Sequence, residues 1–156
     1  IDMYPTNPYY HEFLGEIYYF QGDYTEALKK QKTAMSILSK DSDLHLMILG
    51  TYLLAESSNE SIIESIKVLN KSLFLNKYNS YSWYLLAKAY ALSDNLPLAQ
   101  YASAERYYLN GDRPLALEFA KKAIKNIDKN TVEWYRTNDL IELILGIDEK
   151  DNKNRS

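Results

Sequence analysis

The sequence predicts an all-α chain of about eight helices laid out as antiparallel pairs, and three observations predict it. Five glycines and four prolines in 156 residues leave long stretches free of breakers. Within residues 14–34, Leu14, Ile17, Tyr18 and, one turn back, His11 share a face at the helical period, and Gly22-Asp23 separates them from a second helical pattern. Related patterns then recur at whole and half intervals of about 34 residues. A single helix pair of this kind carries an apolar face too large to bury alone, so it calls for stacked neighbours.

The joint has a physical logic. Gly22 accepts the left-handed conformation that ends a helix, because it has no Cβ to clash. Asp23 then caps the next helix, and Glu26 three residues on completes a capping box. Ala27 and Ala34 are small where the second helix approaches the first, and Gly15 is small on the opposing side.

In chain order, residues 1–7 form an extended lead-in, with Pro5 and Pro8 at the helix entrance, and the first pair spans roughly 8–20 and 24–39. The second pair begins near Ser42. Leu49-Gly50 matches Leu14-Gly15, Leu53 takes the place of Tyr18, and the joint AESSNES is expected to be about three residues longer than the first. Its second helix carries Ile62, Ile66, Leu69, Leu73 and Leu75, with Ser65 and Ser72 at the small positions. The third pair opens with Ser80 as cap, followed by Trp83, Leu86-Ala87 and Tyr90; Asn95 caps the next helix, with Pro97 in its first turn.

Asp112-Arg113-Pro114-Leu115-Ala116 repeats the helix start Asn95-Leu96-Pro97-Leu98-Ala99 after 17 residues, half a period. The helix near 96–109 therefore has two roles: Ala99 belongs to a second helix of one pair, while Ala104 and Tyr107 belong to a first helix of the next. The following helix, roughly 113–127, sets Ala116, Ala120, Ala123 and Ile124 on one face. Asn130 to Glu133 reads as a further capping box, opening a closing helix with Trp134, Leu140, Ile141, Ile144 and Leu145. The polar tail from Asp148 is expected to be disordered. The organisation is a single array over 8–147, with repeats at about 8–41, 42–77, 79–95 and 96–128, a capping helix at 130–147 and a tail at 148–156.

The order Leu14-Gly15, Tyr18, Gly22-Asp23-Tyr24, Ala27-Leu28, Ala34 resembles the tetratricopeptide repeat, a helix-turn-helix unit. His11 departs from the family's usual Trp, and Ser39 from its frequent Pro. The resemblance implies a right-handed α-solenoid whose first helices line a concave groove that binds protein segments. Carried over by position, the groove holds Tyr9, Glu12, Glu16, Tyr19 and Phe20, then Leu44, Met47, Thr51, Leu54 and Ala55. Further along it holds Tyr81, Tyr84, Lys88, Ala91 and Leu92, then Tyr101, Glu105, Tyr108 and Leu109. Such a groove is aromatic and weakly acidic. Family members that grip a C-terminal carboxylate use Lys and Asn where Glu12 and Glu16 stand here, so that mode is disfavoured.

A narrower resemblance rests on YPTNPYYHEFLGEIYY, SWYLLAKAYALSDNLPLAQYASAERYYLNGDRPLALEFAKKA and TVEWYRTNDLIELI. These runs are similar to the C-terminal repeat region of bacterial periplasmic Ste24/HtpX-like zinc metalloproteases, which attend to outer-membrane protein assembly. The resemblance implies a periplasmic parent, with a repeat module that docks substrate, the assembly machinery or its own protease domain. The chain opens at Ile1, which reads as a piece of a longer protein.

Other chemistry finds little footing. A net charge of −3 gives no basic stripe for nucleic acid; Lys121, Lys122 and Lys125 read as a solvated helix end. Absent cysteine excludes disulfides and thiolate metal sites. No apolar run approaches the roughly 20 residues of a membrane span, and Leu46 to Ala55 fits a buried helix, so no membrane insertion is expected. His11-Glu12 begins a zinc-protease motif, but Gly15 fills the second ligand position, and His45 has no partner at ligand spacing. Asp128-Lys129-Asn130 lacks the glycine and later ligands of a calcium loop. With no signalled nucleophile, phosphate loop, metal or cofactor, the chain is expected to be non-catalytic and to bind protein.

Overall fold

A computed structural model describes residues 6–38 and 40–153. It is all-α, with eight helices and no strand among the described residues: α1 (Pro8–Gln21), α2 (Tyr24–Leu38), α3 (Asp43–Glu56), α4 (Asn59–Leu75), α5 (Ser80–Leu92), α6 (Leu96–Leu109), α7 (Arg113–Ala123) and α8 (Val132–Lys153). The helices fall into two compact units, α1–α4 and α5–α8, divided after Lys77.

The joints are stop-and-start devices. At the first, Gly22 is left-handed (φ 81°), its N–H reaches the Tyr19 carbonyl, and the Asp23 N–H reaches the Tyr18 carbonyl at 2.9 Å. That pair of bonds closes α1 as a Schellman motif. Asp23 Oδ1 then accepts the Glu26 N–H at 3.1 Å and opens α2. The reciprocal arm of the expected capping box is not made, because the Asp23 N–H is already committed to Tyr18; Glu26 pairs instead with Lys29 at 3.2 Å.

The same device recurs twice in the C-terminal unit. Asn95 and Asp112 send their N–H groups to the carbonyls of Tyr90 and Tyr107, both at 2.9 Å, and cap α6 and α7 through Leu98 and Leu115. The left-handed residues there are Asp94 and Gly111.

At the second joint the expected three-residue extension is absent. α3 ends at Glu56 and α4 begins at Asn59, so Ser57-Ser58 is as short as Gly22-Asp23, and the surplus residues belong to α4. Ser57 takes the left-handed conformation (φ 61°), Ser58 caps through Ser61, and the Glu56 carboxylate accepts from Ser58. At the last joint α8 starts one residue later than expected: Thr131, not Asn130, caps it, accepting the Trp134 N–H at 3.3 Å. The Asn130 N–H is directed back to Asp128 Oδ1.

Within the N-terminal unit each helix packs on the next: α1 on α2, α2 on α3, α3 on α4. The small positions are where helices meet. Ala27 and Ala34 on α2, and Ser65 and Ser72 on α4, are fully buried. Ser65 and Ser72 satisfy their hydroxyls by donating to the carbonyls of Ile62 and Asp43, at 2.7 and 2.8 Å, so burying them leaves no orphan. Lys71 with Asp41 and Asn76 with Asp43 add polar ties between α4 and the entrance of α3. Leu75 is half exposed rather than core, because it closes α4 beyond the Leu69–Leu73 stripe.

In the C-terminal unit α6 packs as extensively on α7 as on α5, and also touches α8. This is the double role expected from the half-period repeat. Ala104, Ala116, Ala120, Leu140 and Ile144 form one core cluster of this unit, with Ile141 against them. α7 ends at Ala123, earlier than expected, so Ile124 caps it while Ile127 is buried after a turn. Leu145 points outward; the inward stripe of α8 is Thr137, Leu140 and Ile144. The helix continues to Lys153, so residues 148–153 are helical where a disordered tail was expected; residues 154–156 lie outside the described range. Glu149, Lys150 and Lys153 are good helix formers, and a polar sequence is no bar to a helix that need not be buried.

Two glycines separate in their consequences. A Cβ on Gly50 would fall 2.7 Å from fully buried Leu69, whereas one on Gly15 would meet Ala27 O, Tyr52 Cε2 and Lys30 Cβ at an ordinary 3.4–3.6 Å. Gly50→Ala is therefore expected to lower the melting temperature, as overpacking costing about 1–3 kcal/mol outweighs the helix-propensity gain. Gly15→Ala is expected to hold or raise it, by up to about 1 kcal/mol, and Gly15→Leu to lower it by wedging α1 from α2. Calorimetry of the three variants reads all of these.

Candidate functional site

The N-terminal unit carries an open cleft of about 450 Å³. One wall is a stripe on α1: Tyr9, Glu12, Phe13, Glu16, Tyr19 and Phe20, spaced so that successive turns present the same face. The opposite wall is Ile48, Thr51 and Tyr52 of α3, and Gln31 of α2 closes the floor. Tyr19 stacks on Tyr52 with ring centroids 4.9 Å apart, which ties the two walls together. Gly15 lies beside that stack: a Cβ there would meet Tyr52 Cε2 at an ordinary 3.5 Å, so a methyl is accommodated. The outer residues stay open: Tyr9 is 68%, Phe13 61% and Phe20 77% exposed. Exposed aromatics of this size around a cleft mark a surface built to be covered.

Six expected residues therefore meet here: Tyr9, Glu12, Glu16, Tyr19, Phe20 and Thr51. Met47 and Leu54 do not line the cleft, and Leu54 is buried in the core. Ile48, Thr51 and Tyr52 share one face of α3 at the helical period, and Leu54 falls off that face, turned inward. Four lining residues escaped the sequence reading. Phe13 carried a signal, lying on the stripe between Tyr9 and Glu16. Ile48 and Tyr52 lie within Leu46 to Ala55, expected as a buried helix, and nothing in the sequence singles out Gln31.

The polar groups around the cleft are organised. His45 Nε2 stands 2.7 Å from Glu12 Oε1, and His45 Nδ1 stands 2.8 Å from Ser42 Oγ. Ser, His and Glu in a row suggest a hydrolytic relay, an array absent from the sequence reading. Here, however, Ser42 Oγ also accepts the His45 N–H as the cap of α3, so the array secures the entrance of α3 to α1. His11 is buried on α1 against Tyr10. No group of three potential metal ligands occurs among the described residues.

The C-terminal unit has its own smaller cleft, about 290 Å³, where the expected Tyr84 and Lys88 meet Ser103, Arg106 and Phe119. Arg106 lies over the Tyr84 ring at 4.7 Å. Tyr81 stacks beside Tyr84 without lining the cleft. Tyr101, Glu105 and Tyr108 are not part of it. Tyr101 is 3% exposed, meets Trp83 edge-on and is hydrogen-bonded by Arg136, and burial pushes its phenol well above the usual range. Tyr108 packs on the Ala104 core cluster. The reason is the double role of α6: with α5, α7 and α8 around it, little of its surface is left to line a groove.

No protein-family model matches the chain, and comparison with curated proteins finds no match. Among the described residues no helix is long and apolar enough to cross a membrane.

Tyr52 reports the electrostatics of the N-terminal cleft. Burial first, then the charges of Glu16, Tyr19 and Glu12, push its phenol up from 10.0 to about 12. Between those values the folded chain holds a proton that the unfolded chain has released. The stability Tyr52 contributes is therefore complete below pH 10 and lost as pH rises through about 12. In denaturant unfolding at alkaline pH, wild-type stability is expected to fall more steeply than that of Tyr52→Phe; parallel slopes would contradict this assignment.

Proposed function

We propose that this chain is a non-catalytic protein-interaction module, and that the N-terminal cleft receives a segment of a partner protein. The observation that carries the reading is the cleft itself: an α1 stripe of exposed aromatics facing α3 across a floor, held open by the Tyr19–Tyr52 stack. Aromatic rings supply large contact area at low entropic cost, which suits segment recognition. The tetratricopeptide-like pattern of Leu14-Gly15, Tyr18 and Gly22-Asp23 supports the same reading. Resemblance to the repeat region of periplasmic HtpX-like zinc metalloproteases supports a parent of that kind, in outer-membrane protein quality control. In that setting the partner is a substrate, the assembly machinery or the parent's own protease domain.

Selection from a random displayed dodecapeptide library tests the module reading. Phe13 and Phe20 project into solvent, so a Phe13→Ala/Phe20→Ala variant is expected to keep its melting temperature and to lose about tenfold or more in affinity for the selected peptides. Peptides that bind the variant as well as the wild type, or a selection that enriches none, would contradict the proposal.

A further inference from the structure

We infer that the N-terminal cleft anchors a basic side chain, a lysine or arginine carried by the partner segment; this rests on the module reading and adds the chemistry its site selects. The charged side chains among the described lining residues are Glu12 and Glu16, both acidic. Gln31, fully buried on the floor, directs its amide nitrogen to the His45 carbonyl at 3.4 Å, and its own carbonyl oxygen has no hydrogen-bond partner. Only the nitrogen of that amide can donate to a carbonyl, so the oxygen is the atom left over. A buried acceptor without a donor is destabilising, and a donor brought by a ligand relieves it. Two carboxylates and an unmet carbonyl ask for a donor that carries positive charge.

The walls agree with that occupant. Phe13 and Phe20, both largely exposed, offer aromatic rings to a cation and an apolar surface for the methylene stem behind it. Glu12 is positioned by the His45 ring. An acidic segment is repelled by Glu12 and Glu16. An apolar one would cover the exposed Glu16 carboxylate without a partner and leave the Gln31 oxygen unmet.

The test uses peptides from the dodecapeptide selection and measures their affinity in low and high salt for the wild type, Glu16→Gln and Glu12→Gln/Glu16→Gln. Glu16 is exposed, and Gln at position 12 still offers His45 an acceptor, so both variants are expected to fold. The expected result is a shared Lys or Arg whose replacement by norleucine weakens binding about tenfold. The double variant is expected to weaken it equally, Glu16→Gln severalfold, and high salt to lower wild-type affinity. Peptides that need Phe13 and Phe20 but carry no basic residue, and bind the double variant unchanged, would overturn this inference and leave the module reading intact. Peptides indifferent to Phe13 and Phe20 would overturn both.

Discussion

Close approach of helix to helix at residues with almost no side chain is the constraint on which the rest of this structure depends. Ala27, Ala34, Ser65 and Ser72 in one unit, and Ala104, Ala116 and Ala120 in the other, are all fully buried. Each lets a neighbouring backbone come nearer than a leucine would, and each loses little side-chain entropy in doing so. In the α1–α2, α3–α4, α5–α6 and α6–α7 pairs the geometry is held at one end by a joint of two or three residues that closes one helix and opens the next. The carbonyls of Tyr18, Tyr90 and Tyr107 serve identically in three of them. With short joints and small contact positions fixed together, the hairpins have little freedom to slide.

This also explains how a cleft arises in the N-terminal unit. α2 packs extensively on both α1 and α3, which meet each other through side chains, Tyr19 with Tyr52 and Glu12 with His45. Tyr52 leans against α1 beside Gly15 and stacks on Tyr19, closing the inner end while Phe13 and Phe20 stay outside. The aromatic residues therefore divide by role: some span the gap and set its width, others remain for a ligand. In the C-terminal unit the same kind of sequence yields a different outcome. α6 has neighbours on several sides, so Tyr101 is drawn into the core and bonded by Arg136.

Much of the fold was legible because it is written in local chemistry. Gly22-Asp23, Asn95 with Pro97, and Asp112 with Pro114 announce their joints, and the half-period between the last two announces the double role of α6. Ser57 and Asp94 were not legible: they take a left-handed backbone that their side chains do not advertise, so the α3–α4 joint looked longer than it is. The α1 wall of the cleft could be read from one helical period. The α3 wall could not, since which of its faces turns to α1 is seen only in contacts between distant residues, such as Tyr19 with Tyr52 and Glu12 with His45. Gln31 was beyond reach for the same reason: a glutamine between two lysines reads as surface until the fold buries it.

The central claim is that this cleft, and not the chain's surface at large, receives a cationic partner segment. Intermolecular nuclear Overhauser effects with a bound, basic peptide test it most directly. Contacts from the lysine or arginine methylenes to the rings of Phe13 and Phe20 are the predicted result. Contacts confined to rings of the C-terminal unit, such as Tyr84 and Phe119, would contradict it.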